Sequence, residues 1–115
     1  MCVGLGSAPE LLEELQNVLM IAPDKVELIC RIKPGDPTTE IHWYCSRFCC
    51  MFRELTHGGK YAIERTIVDD DTILSLTIAV SEETDSAIYR CVAVNKFDKV
   101  STECHVVVLR TFHIS

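Results

Sequence analysis

Hydrophobic and polar residues alternate along most of this chain. From Lys25 onward, Val26, Leu28, Cys30 and Ile32 fall on one side of an extended backbone, and Glu27, Ile29 and Arg31 on the other. Successive side chains of a strand point to opposite faces, so the pattern predicts a strand with one face in a core. The same period predicts strands over residues 40–44, with Ile41 and Trp43 together, and over 60–68, rich in β-branched Ile63, Thr66, Ile67 and Val68. It predicts three more: 72–80 on Leu74, Leu76 and Ile78; 87–93 on Ala87, Tyr89, Cys91 and Ala93; and 100–109 on Cys104, Val106 and Val108. Turn-forming clusters separate them: Lys33-Pro34-Gly35-Asp36-Pro37, Thr56-His57-Gly58-Gly59-Lys60, Asp69-Asp70-Asp71, and the polar stretches 81–85 and 95–99. About seven short strands with turn signals every eight to twelve residues or so point to an antiparallel sandwich or barrel. Residues 9–21 depart from this period. There Leu11, Leu12, Leu15, Val18 and Leu19 stand at helical spacing among Glu and Leu, and the local pattern predicts a helix.

Three residues tie the strands together. Trp43 lies 13 residues after Cys30, and Cys91 lies 61 residues after it. In a sandwich this places one cysteine on each of two sheets about 10 Å apart, with an indole packed against both. In Asp85-Ser86-Ala87-Ile88-Tyr89-Arg90-Cys91 a tyrosine precedes the second cysteine by two positions. Its hydroxyl can bond back to the backbone where the strand begins.

On these residues the chain resembles the I-set branch of the immunoglobulin superfamily. The matching pieces are Val26-Glu27-Leu28-Ile29-Cys30, Gly35-Asp36-Pro37, Ile41-His42-Trp43-Tyr44, Leu74-Ser75-Leu76-Thr77-Ile78 and residues 85–95. The flavour is that of the intracellular modules of muscle and actin-associated proteins of the titin, obscurin, myosin-binding-protein and palladin type. The resemblance implies an all-β immunoglobulin-like β-sandwich of two packed antiparallel sheets. Its structural core would include Cys30, Trp43, Leu76, Asp85, Tyr89 and Cys91. It also implies that Pro9-Glu10-Leu11-Leu12-Glu13-Glu14-Leu15 forms a first edge strand, against the local helical pattern. The expected organisation is an N-terminal tail over 1–8, the domain over 9–109 and a C-terminal tail or linker over 110–115. Three places depart from the family pattern. Residues 44–52 lack the usual Gly or Asp turn, Asp98 stands where Gly is usual, and Ala22-Pro23-Asp24 replaces the usual Glu-Gly before the second strand.

Composition narrows the function. The 115 residues carry a formal net charge of −6, which argues against nucleic acid and anionic membranes as partners, since both need clustered Lys and Arg. No apolar run approaches the roughly 18 residues of a membrane span, and the first eight residues do not read as a signal peptide. Seven cysteines is an odd number, and neither Asn17 nor Asn95 begins a glycosylation sequon. Both features lean towards a reducing, cytoplasmic setting.

Candidate chemistry is sparse. Cys45, Cys49, Cys50 and His57 could be read as zinc ligands, but the spacing supplies only one recognisable half of a site; thiols in a surface loop are the plainer reading. Cys104 reads as a buried free thiol. The run Asp69-Asp70-Asp71 lacks calcium-loop spacing. Nothing positions a base or an oxyanion hole around a cysteine, so no enzyme activity and no cofactor are expected. Phe48, Met51 and Phe52 form a candidate partner surface, of a composition enriched in binding cores; alternatively Phe48 or Phe52 folds back onto the sandwich. The expectation is therefore a non-catalytic structural and protein-binding module of a larger intracellular protein. Its partners would be cytoskeletal or sarcomeric proteins and neighbouring domains. The alternative is an extracellular adhesion or receptor domain, in which Cys30 and Cys91 would be bridged.

Overall fold

The computed structural model describes residues 6–47 and 51–111. Among them the chain forms nine strands in order: β1 Glu10–Glu13, β2 Val18–Ile21, β3 Val26–Lys33, β4 Glu40–Ser46, β5 Arg53–Leu55, β6 Tyr61–Val68, β7 Asp71–Ile78, β8 Ala87–Val94 and β9 Lys99–Leu109. A single 3₁₀ turn, Glu83–Asp85, precedes β8. The strands build a four-stranded sheet, β1-β3-β7-β6, and a five-stranded sheet, β2-β9-β8-β4-β5. All pairings are antiparallel except that of β2 with β9, which is parallel.

The alternating positions become the core. β3 and β7 turn Val26, Leu28, Cys30 and Ile32, and Leu74, Leu76 and Ile78, to the inside. They meet Trp43 and Cys45 from β4, Tyr89, Cys91 and Ala93 from β8, and Cys104, Val106 and Val108 from β9. Register keeps each set on one face, because a slip of one residue would turn all of it to water.

Residues 9–21 do not form the helix that their local spacing predicts. They divide into β1, on one sheet, and β2, on the other. β1 pairs with β3 through Glu10↔Lys33 and Leu11↔Ile32, with a register irregularity between Leu11 and Glu13. Leu15 then crosses between the sheets. It is buried, and its amide donates to Thr102 Oγ1 at 3.0 Å. An isolated helix this short is marginal in water, whereas the sandwich offers two open ladders and a pocket for Leu15. The turn after β2 contains a cis Ala22-Pro23 bond and closes with Asp24 N–H donating to Ile21 O at 3.0 Å.

Asn95 organises the end of the sandwich where the chain enters. Its Nδ2 donates to Ser7 O at 2.8 Å and Thr39 Oγ1 at 3.1 Å, and its Oδ1 accepts the amides of Phe97 at 2.9 Å and Asp98 at 3.2 Å. This side chain shapes the β8–β9 hairpin. Asp98 therefore does not need the positive φ expected where a glycine is usual; among described non-glycine residues only Asp69 has one, at 57°. Gly35 has φ 78°, and a β-carbon there would collide with the backbone oxygens of Ser7 and Ala8.

Candidate functional site

The chemistry-bearing residues group into a buried corner, a thiol pair and an outer sheet face. The corner is built where the 3₁₀ turn feeds β8. Tyr89 is 0% exposed, and its hydroxyl donates to Asp85 O at 2.7 Å. The Asp85 carboxylate is also fully buried. Its Oδ2 accepts the Glu82 amide at 2.7 Å and lies 3.0 Å from Lys60 Nζ, while Oδ1 lies 3.7 Å from the Arg47 guanidinium, beyond hydrogen-bond reach. Lys60 also bonds Glu82 Oε2 at 2.8 Å. That bond to Glu82, with a smaller contribution from Asp85, raises the Lys60 ammonium above its ordinary pKa, and the same bond lowers the Glu82 carboxyl. A buried charge needs such partners. Sequence reasoning singled out Asp85 and Tyr89 but missed Arg47 and Lys60, which approach only through the tertiary fold.

The thiol pair lies between the sheets. Cys30 and Cys91 are both free and buried, and Trp43, at 1% exposure, faces Cys91 across the β4–β8 ladder. The hydrogen bond with the Cys30 thiol, and burial, push the Cys91 thiol well above its ordinary pKa, so Cys91 stays protonated and is a poor nucleophile. Cys104 is buried too and is pushed up to about 11 by desolvation. The Trp43 indole N–H is buried with no hydrogen-bond partner among the described residues.

Cys45 is not a loop thiol. It continues the inward face of β4 after Trp43 and is 3% exposed. Its period-two spacing from Trp43 was the signal that could have placed it. His57 Nδ1 accepts the Ile63 amide at 3.0 Å, tying the glycine turn to β6. Cys49 and Cys50 lie outside the described residues, and among those described no three His, Cys, Asp or Glu side chains are grouped to hold a metal.

Of the expected partner residues, Phe52 lies against the outer face of the five-stranded sheet. Phe48 lies outside the described residues. Met51 is 78% exposed. Phe52 instead lies on the sheet with the Arg90 guanidinium 3.9 Å above its ring, and Arg90 in turn bonds Glu103 at 2.6 Å. Beside it runs a shallow groove of about 350 Å³ lined by Arg47, Phe52, Ser86, Ile88, His105 and Val107, among others. Further along the same face His42 is held between two carboxylates, Glu54 at 2.8 Å and Glu40 at 3.2 Å. The bond to Glu54 raises the imidazole above its ordinary pKa.

A family model described as the immunoglobulin I-set domain matches residues 9–108. The chain belongs to the immunoglobulin I-set family. Relatives of this I-set domain include the muscle M-line assembly protein unc-89 of Caenorhabditis elegans, 29% identical over 105 residues, which cover 91% of this chain and 1% of that protein. Smooth-muscle myosin light chain kinase of Gallus gallus is 29% identical over 103 residues, 90% of this chain and 5% of the kinase. The cell adhesion molecule Dscam1 of Drosophila melanogaster is 26% identical over 106 residues, 92% of this chain and 5% of Dscam1. The chain thus spans at most 5% of the length of these curated relatives. Among solved structures, a tandem of titin Ig domains superposes with a TM-score of 0.72 at 29% identity, covering 90% of this chain and 48% of that one. The architecture is the I-set sandwich, and the kinship is with immunoglobulin domains of muscle proteins.

Proposed function

We propose that this I-set domain is a non-catalytic structural and protein-binding module of a larger intracellular protein of muscle or the actin cytoskeleton. The observation that carries the reading is the parallel ladder between the first and last strands of the five-stranded sheet, Val18↔Val106 through Ile21↔Leu109. Tension applied at the two ends of the domain pulls these parallel strands in opposite directions. Their hydrogen bonds are then loaded together in shear instead of opening one at a time. Kinship with the muscle proteins supports the cellular setting, and the odd number of cysteines agrees with a reducing compartment. The partners proposed are other proteins of such assemblies and neighbouring domains of the same chain. A titin Ig domain has been solved in complex with an Ig domain of obscurin-like 1, which illustrates pairing of this kind.

The second reading is an extracellular adhesion domain, favoured by the relationship to Dscam1 and by the placement of Cys30 against Cys91, where a bridge would stabilise the fold by roughly 2–4 kcal/mol. Alkylation of free thiols in the native source tissue, followed by mass spectrometry, separates the two. The intracellular reading expects Cys30 and Cys91 to be alkylated without reductant. Recovery of both only as a linked peptide pair would overturn it.

A further inference from the structure

A histidine ties the short strand β5 in each direction. His42 on β4 reaches Glu54 within it. His57, in the turn that follows it, reaches β6 of the other sheet. The two contacts make opposite demands on the imidazole.

At His57 the donor is a backbone amide. Ile63 N–H donates to Nδ1 at 3.0 Å, so Nδ1 carries a lone pair and the ring is neutral. A protonated imidazole has a donor at both nitrogens and cannot accept this bond. The bond is part of a larger cap. Gly58 N–H donates to Tyr61 O at 2.9 Å, and Tyr61 N–H donates to Gly58 O at 3.1 Å. The positive φ values of Gly58, 121°, and Gly59, 58°, let the chain fold back in this way. Peptide groups alternate in direction along a strand, so Tyr61 and Ile63 both face away from β7, to the open side of β6. Residues 57 and 58 therefore cover the first two outward positions of an edge strand, which would otherwise be open.

His42 is the converse. Its Nδ1 lies 2.8 Å from Glu54 Oε2 and its Nε2 3.2 Å from Glu40 Oε1. Ionised carboxylates only accept, so both contacts are hydrogen bonds only when the ring carries both protons. In the neutral ring one nitrogen faces a carboxylate lone pair to lone pair. The other charges around the two rings are largely committed elsewhere. Near His57, Lys60 is held by Glu82 and Asp85, the Tyr61 hydroxyl accepts from Arg47, and Arg65 donates to Thr39 O. Arg53 on β5 and Glu64 on β6 form no ion pair among the described residues. Near His42, the Tyr44 ring lies 6.4 Å away, β8 places Val92 opposite, and Arg90 is held by Glu103.

We infer that β5 and the turn after it form a pH-sensitive connector between the two sheets: protonation tightens β5 on β4 through His42 and frees the turn from β6 through His57. With both rings neutral, the crossing from one sheet to the other is fastened on β6. With both charged, Ile63 N–H has lost its acceptor, and the crossing is held from the β4 side and by the Gly58–Tyr61 bonds.

The test is nuclear magnetic resonance of the isotope-labelled domain in reductant between about pH 8 and about pH 5, the range in which histidine changes charge. A coupling through the hydrogen bond, from the Ile63 amide nitrogen to His57 Nδ1, should be present at the upper end and vanish as the His57 ring takes its proton. Solvent-exchange protection of Ile63, corrected for the intrinsic pH dependence of exchange, should fall by about fivefold, the worth of one ordinary hydrogen bond. Protection of the β4–β5 amides should rise over the same range in wild type and stay flat in His42→Gln. His57→Asn offers a carbonyl oxygen in the region of Nδ1 and takes no proton, so Ile63 should stay protected there at the acid end. A wild-type coupling that is absent at the upper end, or that survives protonation of His57, overturns the inference without reference to any variant. So does protection that falls together at Ile63 and on β4–β5, which would mark general loosening, and so does an Ile63 loss of equal size in a folded His57→Asn.

Discussion

Tyr89→Phe removes one oxygen and leaves the ring in place. The ring is fully buried, so its packing is retained and no charge is altered. What is lost is the 2.7 Å hydrogen bond to Asp85 O, together with the partner of a carbonyl in a dry corner. A typical intramolecular hydrogen bond contributes about 1 kcal/mol net, but stranding a buried acceptor costs about 1–3 kcal/mol. The saved desolvation of the phenol offsets part of this, giving an expected loss of about 1.5–2.5 kcal/mol. Against the roughly 5–15 kcal/mol of a small domain this is large. At about 4 °C per kcal/mol for a domain of this size, the melting temperature should fall by about 6–10 °C. Trp43 is the one tryptophan of the chain and lies in the core, so its fluorescence reports global unfolding in urea. The midpoint should fall with an unchanged slope. Tyr44→Phe, on the outer face of β4, serves as the control and should stay within about 0.5 kcal/mol of wild type. A Tyr89→Phe loss as small as the control's would refute the assignment of the corner as a stabilising hydrogen bond.

Two further outcomes follow from the charged groups. Both ring nitrogens of His42 face carboxylates, Glu54 and Glu40, and its pKa is raised by the bond to Glu54. A raised histidine stabilises fully below its unfolded value of about 6.5 and loses that contribution as pH rises through the folded value. Wild-type stability in urea should therefore decline between about pH 6 and pH 8 relative to His42→Gln, and parallel curves would contradict this. Asp85→Ala removes a fully buried carboxylate that holds the Glu82 amide and Lys60. Because Lys60 and Arg47 are partly exposed and can turn to water, the loss should be about 2–4 kcal/mol by urea titration, with Asp85→Asn losing less.

The sandwich was legible where one face of a strand is buried. β3, β7, β8 and β9 show clean alternation because one side meets the core and the other meets water. The same logic failed at the margins. β5 has three residues, only Leu55 of them buried, so no period could announce it. In residues 9–21, Leu11, Leu15 and Val18 happen to fit a helical stripe. Their actual roles are split between two sheets, and that choice is made by the open ladders of β3 and β9. The corner was half legible. Tyr89 and Asp85 stand at a telling spacing, but Lys60 and Arg47 come from elements more than 20 residues away, brought there by β6 and the end of β4. Cys45 was misplaced because the unusual residues after it drew attention from its spacing to Trp43. His42 between Glu40 and Glu54 was invisible because β5 itself was.

The parallel β2–β9 ladder is the part of this account on which the mechanical reading rests, and pulling the domain by its two ends tests it directly. In a single-molecule extension experiment the wild type should show one main rupture. Met20→Pro deletes an N–H that faces β9 and should lower that rupture force, whereas Leu12→Pro in β1 should leave the main rupture unchanged. A main rupture force that is the same in Met20→Pro and wild type would contradict the claim that the terminal strands carry the load.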